Sequence, residues 1–277
     1  MDRVAFVIPI HPPFFHYLRN FLAQMPPASS RVYAVFSSPE DRDAFGEHPA
    51  LSPIVIPQGL TYDSGSSAGI VDYKKFYALH QLKDSHHDYF IVCDSEIQLV
   101  PENFTPENVL GKIEAIFRNK QIYASNGGSG NTVAACNVFG PDDAARAKVL
   151  TKDYGLVFWW SDLPVWKREH LPHFFEVLPI PDTIYSRPDY NIYQIYLALY
   201  HDFAFLNLSP HIGVYSSLEG FATRKEEKID CLTALGYGHA WVMVTQLSLN
   251  RDKLMKLGTF LAYHLDRYTT PDWWDGQ

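Results

Sequence analysis

The stretch FIVCDSEIQL (90–99) runs from four apolar residues, Phe90 to Cys93, straight into Asp94-Ser95-Glu96. A short apolar run with no alternation describes a strand covered on both faces, as in a parallel sheet. Two carboxylates one residue apart repel each other and resist burial, so the strand must end where they begin. Such an end is either an ordinary solvated turn or a strand tip that holds a cation. Spacing alone leaves these two readings level.

Working outward, Val4 to Ile10 is a second apolar run, rich in β-branched residues and stopped by Pro12-Pro13. Phe14 to Gln24 then follows helical spacing through Phe14, Leu18, Phe21 and Leu22. Strands are expected over Arg31–Ser37 and Pro53–Pro57. Between them lies a helix from Pro39 to Phe45, with Ser38 as N-cap and Pro39 at the first helical position. After the polar loop TYDSGSSAG (61–69), a helix runs from Ile70 to Leu82 and leads into the strand Tyr89–Cys93. Strands alternating with helices define an α/β fold of Rossmann type, with a mixed, mainly parallel central sheet flanked by helices. Ligands in such sheets sit beyond the carboxyl ends of the strands. Ile10-His11 and Asp94-Ser95-Glu96 both occupy that position and fit one shared site.

The second part of the chain reads as a helix over Pro106–Asn119, a strand over Gln121–Ala124, the loop SNGGSGN (125–131) and a strand over Thr132–Phe139. A helix over Asp142–Leu150 follows, then the Trp-rich segment FWWSDLPVWKREHLPHFF (158–175), a helix over Asp189–Tyr200 and a strand over Phe203–Leu208. The remainder is expected to be mainly helical. With no internal repeat and no linker, the reading is one domain. It divides into a nucleotide-sugar donor half (1–100), an acceptor and catalytic half (101–217) and a helical extension (218–277).

Composition narrows the function. The 277 residues are 47% hydrophobic and 19% charged, which suits a globular protein with a sizeable core. A net charge of -8 argues against a nucleic-acid or anionic-membrane surface, where Lys and Arg dominate. It leaves room for a diphosphate ligand bridged by a divalent cation. Cys93, Cys136 and Cys231 are odd in number and widely spaced, so they read as reduced thiols of a soluble, cytoplasmic protein. No signal peptide and no transmembrane segment are expected. The oligomeric state is not legible.

The order of these features resembles that of glycosyltransferases of the GT-A fold, over most of the chain up to about residue 217. The resemblance rests on VIPIHPP as a base-binding strand and loop, VDYKKFYALHQL as a helix bearing basic residues, and DSE in place of the D-x-D motif. It implies an enzyme that moves a sugar from a nucleoside-diphosphate sugar, UDP first, to a hydroxyl of a glycan or glycoprotein acceptor. It also implies a Mn²⁺ or Mg²⁺ cofactor on the diphosphate. Glu96 would be the direct metal ligand, with Asp94 nearer the ribose or a metal-bound water, and His211 in NLSPHIGVYS a further ligand. Ile10, His11, Ser38, Lys75, Asp94 and Ser95 would line the donor site. The small size is similar to that of soluble transferases of bacterial surface polysaccharides or viral capsid glycans, with xylose among the candidate sugars.

Several residues carry a plain reading beside the functional one. Asp189 follows Pro188 at a helix N-terminus, where the dipole favours a carboxylate; it is either the catalytic base of an inverting transfer or a simple cap. Asp162 is the second candidate base. Trp159, Trp160 and Trp166 can stack on acceptor sugars or fill a core. Lys75 shares a helix face with Leu79 and Leu82, so it can meet a phosphate or a neighbouring carboxylate, whereas adjacent lysines are more often solvated. His86-His87 reads as a solvated turn. Asp41-Arg42-Asp43 matches D-x-D literally but lies within a surface helix and is set aside. Retaining transfer, a sugar-nucleotide nucleotidyltransferase and a non-catalytic glycan-binding protein remain alternatives.

Overall fold

The computed structural model describes residues 3–25, 30–58, 68–99, 101, 104–126, 130–156, 165–178, 189–207, 242–245 and 262–265. Its central sheet has the order β3-β2-β1-β4-β8, from β1 (Val4–Pro9), β2 (Arg31–Phe36), β3 (Leu51–Val55), β4 (Tyr89–Val92) and β8 (Val165–Lys167). β1 pairs in parallel with both β2 and β4, and β2 with β3; β8 alone of the five runs antiparallel, against β4. The architecture is therefore a mixed α/β fold with a mainly parallel central sheet flanked by helices.

The period-2 geometry of a strand sorts side chains between the two faces. Val4, Phe6 and Ile8 of β1 join Tyr89, Ile91 and Cys93 in one core cluster. That cluster is filled by α1 (Phe15–Gln24) through Leu18, Phe21 and Leu22, and by α4 (Pro106–Asn119) through Val109 and Ile113. Phe6 meets Phe21 edge-on, with ring centroids 5.0 Å apart. Ala5, Val7, Phe90 and Val92 point the other way, onto α3 (Ala68–Leu82). β1 and β4 are apolar throughout because both faces are covered.

The helix α3 decides the character of the site. It lies between the central sheet and a second helical layer made of α7 (Leu171–Val177) and α8 (Asp189–Tyr200). Tyr73 to Phe76, Ala78, Leu79 and Leu82 are all buried. A helix covered on most of its circumference leaves only a narrow solvated side, here Asp72, His80 and Gln81, and the polar residues off that side are buried.

Local chemistry fixed several boundaries as expected. α2 (Pro39–Phe45) is capped by Ser38, whose side chain accepts from Asp41 N at 3.1 Å. α4 and α8 span the expected residues. Other expectations need correction. Thr132–Phe139 is not a strand: Gly130–Cys136 forms the helix α5, with Thr132, Ala135 and Cys136 buried at i, i+3 and i+4. A short run of small apolar residues has no length to distinguish strand from helix, and packing against α6 (Pro141–Thr151) and α8 decided it. His87 is 1% exposed and shares a hydrogen bond with the Tyr33 hydroxyl at 3.0 Å, so it is structural rather than solvated.

Two smaller sheets complete the described structure. One has β6 (Gln121–Asn126) between β7 (Tyr154–Leu156) and β9 (Ala204–Asn207). The other joins β10 (Val242–Thr245) and β11 (Ala262–Leu265) to β5 (Ile97–Leu99), immediately after the acidic turn. The described residues beyond 217 are thus both strands, which corrects the expectation of a helical extension for those positions. Val-Met-Val-Thr is rich in β-branched residues, and it finds its ladder partners in residues far away in sequence.

Candidate functional site

Running from β1 to β3 the chain winds outward from the first strand, and β4 is then laid on the other side of β1. This reversal is a topological switch point, where the loops leaving β1 and β4 diverge and open a crevice. The loop after β1 is Ile10-His11. The loop after β4 is Asp94-Ser95-Glu96. Cys93 N donates to Val7 O at 3.1 Å and Ile10 N to Val35 O at 3.0 Å, so both ends are held by the sheet up to the crevice.

The acidic triplet is a turn, closed by Ile97 N donating to Asp94 O at 3.2 Å. It is not a solvated one. Ser95 and Glu96 are 6% and 3% exposed, and Ser95 Oγ donates to Glu96 Oε2 at 2.9 Å. Asp94 is met by Lys75, whose Nζ stands 2.8 Å from Oδ1. The Lys75 side chain is 6% exposed and that of Asp94 19%. The pair is largely desolvated, so each charge depends on the other. Of the two roles expected for Lys75, the structure shows the one with a neighbouring carboxylate.

Sequence reasoning missed Lys74. It is completely buried, and its Nζ donates to Ile10 O at 2.6 Å and lies 3.4 Å from His11 Nδ1. Burial pushes its ammonium down to about 7, against the opposing field of Asp41. The signal was available: Lys74 is four residues after Ile70 and four before Ala78, on an apolar line of the helix. Thus two adjacent lysines of one helix reach the ends of two neighbouring strands, Lys74 that of β1 and Lys75 that of β4.

The other expected residues divide as follows. Ser38 spends its side chain on the cap of α2. Trp166 is corrected: it is 0% exposed, stacks on Tyr193 at 4.0 Å and 16°, and meets Phe174 and Phe76 edge-on. A fully buried ring has no face to offer a sugar. α8 begins at Asp189 as expected, but the Asp189 side chain lies outside the described residues, as do Trp159, Trp160, Asp162 and His211.

Asp94 and Glu96 are hard oxygen donors of the kind Mg²⁺ and Mn²⁺ take, so the donor chemistry fits a divalent cation. Among the described residues, no three His, Cys, Asp or Glu side chains form a group able to hold a metal. No helix of the described residues is long and apolar enough to cross a membrane.

The chain matches no protein-family model. It matches no curated protein either. Among solved structures it is similar to a CMP:2-keto-3-deoxy-manno-octonic acid synthetase complexed with CTP, at 12% identity and a TM-score of 0.33, over 74% of this chain and 89% of that one. A likeness at that level carries no argument about activity, and the functional reading rests on the site.

Proposed function

We propose that this chain is a glycosyltransferase that takes its sugar from a nucleoside diphosphate, with UDP as the nucleotide, and passes it to a hydroxyl of a glycan acceptor. The observation that carries the reading is the meeting of Asp94, Lys75 and Lys74 with the ends of β1 and β4 at the switch point. Acids and buried cations together suit a ligand that is both polyhydroxylated and polyanionic.

In this reading Ile10 and His11 border the nucleotide. Lys75 fixes the Asp94 carboxylate toward the ribose, and Ser95 orients Glu96. A divalent cation held by Asp94 and Glu96, with His211 a further candidate ligand, would offset the charge that develops on the departing diphosphate. Asp189, with Asp162 as second candidate, takes the proton of the acceptor hydroxyl and favours inversion. Trp159 and Trp160 remain the acceptor-stacking candidates.

The test is hydrolysis of a panel of nucleotide sugars by the full chain, with Mn²⁺, with EDTA, and for Glu96→Ala. Slow hydrolysis of one donor, lost in EDTA and in the variant, is the expected result. No donor hydrolysed and no nucleotide bound with or without metal would overturn the proposal.

A further inference from the structure

Lys74 and Lys75 are consecutive, buried and at the same end of the sheet, yet they are served differently. Lys75 has the Asp94 carboxylate at 2.8 Å. Lys74 has a backbone carbonyl, Ile10 O at 2.6 Å, and His11 Nδ1 at 3.4 Å. Among the described residues no carboxylate lies within ion-pair distance of its Nζ. A buried ammonium satisfied only by neutral groups is costly, because hydrogen bonds replace part of its hydration but none of its charge is compensated. Proteins retain such a group where something else supplies the counter-charge.

The groups that surround it come from several elements. His11 faces it from the end of β1. Asp41 of α2 acts on it at longer range. Lys75, on its own helix, is held by Asp94 of the β4 end, and Glu96 lies beyond, bonded to Ser95. The fixed acids are thus engaged or distant. At these strand ends His11 is half-buried and the Asp94 side chain 19% exposed, so both still meet solvent.

We propose that the crevice beyond β1 and β4 binds a phosphate-bearing anion whose charge is the missing counter-charge of Lys74. Direct contact is not required: an anion held a few ångströms away, across a desolvated gap, stabilises the ammonium through its field. Lys74 is a positioning residue in this scheme. It ties the β1 loop and His11 to the helix and takes up a proton as the anion arrives. Because burial lowers the Lys74 pKa to about 7, binding of the anion above that pH draws a proton from solvent to Nζ. The inference rests on the reading of the site given under Proposed function, and extends it to the charge state of the protein.

The experiment is titration calorimetry of the full chain with inorganic pyrophosphate and, separately, with UDP. It is run at pH 8 in two buffers of different ionisation enthalpy; UDP is fully ionised there, and for pyrophosphate, which still carries its last proton, uptake is read as the excess of the wild type over Lys74→Met. Uptake approaching one proton per ligand is expected in the wild type. It should vanish in Lys74→Met, with affinity weakened roughly tenfold, as for loss of a hydrogen bond or ion pair to a charged group. It should persist in Lys148→Met, a change at an exposed position of α6. The wild-type buffer dependence needs no variant to fold, so the outcome stands if Lys74→Met does not. Binding of either ligand with no proton uptake, or uptake lost in His11→Gln and kept in Lys74→Met, would overturn the role of Lys74 while leaving a nucleotide site in place. Pyrophosphate bound with uptake but UDP not bound would uphold Lys74 and remove the nucleotide-sugar reading. Binding of neither would remove both.

Discussion

The Lys75 ammonium lies 2.8 Å from Asp94 Oδ1, and the two side chains are 6% and 19% exposed. One comes from the middle of α3 and the other from the first residue of an acidic turn, so the pair ties a helix to a strand end.

Removing one member should cost more than the pair is worth. Asp94→Ala leaves a desolvated ammonium uncompensated, and the expected loss is about 3–5 kcal/mol in urea unfolding. The double variant Lys75→Met/Asp94→Leu should recover much of that loss, because it removes both charges. A double variant as unstable as the sum of the singles would show that the pair is not coupled.

Ser38 was expected in the donor site, and the structure gives its hydroxyl to Asp41 N. Ser38→Ala should therefore lower stability by about 1 kcal/mol, and Ser38→Asp should restore it. Thermal melts of the three proteins check this. A loss of nucleotide affinity in Ser38→Ala at unchanged melting temperature would return Ser38 to the binding site.

Trp166 belongs to the core. Trp166→Ala should cost about 3–5 kcal/mol, as for other large-to-small changes at buried aromatic positions, and Trp166→Phe distinctly less. Chemical denaturation gives both values. An unchanged midpoint for Trp166→Ala, with acceptor affinity lost, would reverse the assignment.

His170 supplies a pH dependence. Its Nδ1 lies 2.8 Å from the Tyr193 hydroxyl, its ring stacks on His201 at 3.8 Å, and Lys167 lies near. Burial first, then His201 and Lys167, push its pKa down to about 3. Glu169, 3.8 Å from Nε2, is exposed and too well solvated to offset this. The folded state therefore keeps His170 neutral where the unfolded chain, with an ordinary pKa near 6.5, takes up a proton. Stability is complete above about pH 6.5 and falls as the pH drops from there toward 3. Denaturation midpoints between pH 7.5 and 4 should decline less steeply in His170→Gln. Parallel declines in the two proteins would dismiss the effect.

Much of this was legible in the chain itself. The apolar runs at Val4 and Phe90 give buried parallel strands because both faces of such a sheet are covered, and Ser38-Pro39 marks a helix start through local hydrogen bonding. That Ile10-His11 and the DSE turn share one end of the sheet follows from the alternation of strands and helices. These signals are local, and a single segment carries each.

What only the tertiary structure decided depends on partners distant in sequence. Lys74 and Lys75 look like a solvated pair until α3 is enclosed between the sheet and α7 and α8. Thr132–Cys136 becomes a helix through its packing on α6 and α8. Trp166 is core because Tyr193, Phe174 and Phe76 close around it. Sequence sets what each segment can form, but burial is a property of the assembled layers. The lowered pKa of Lys74 and the desolvation of the Asp94–Lys75 pair follow first from that burial.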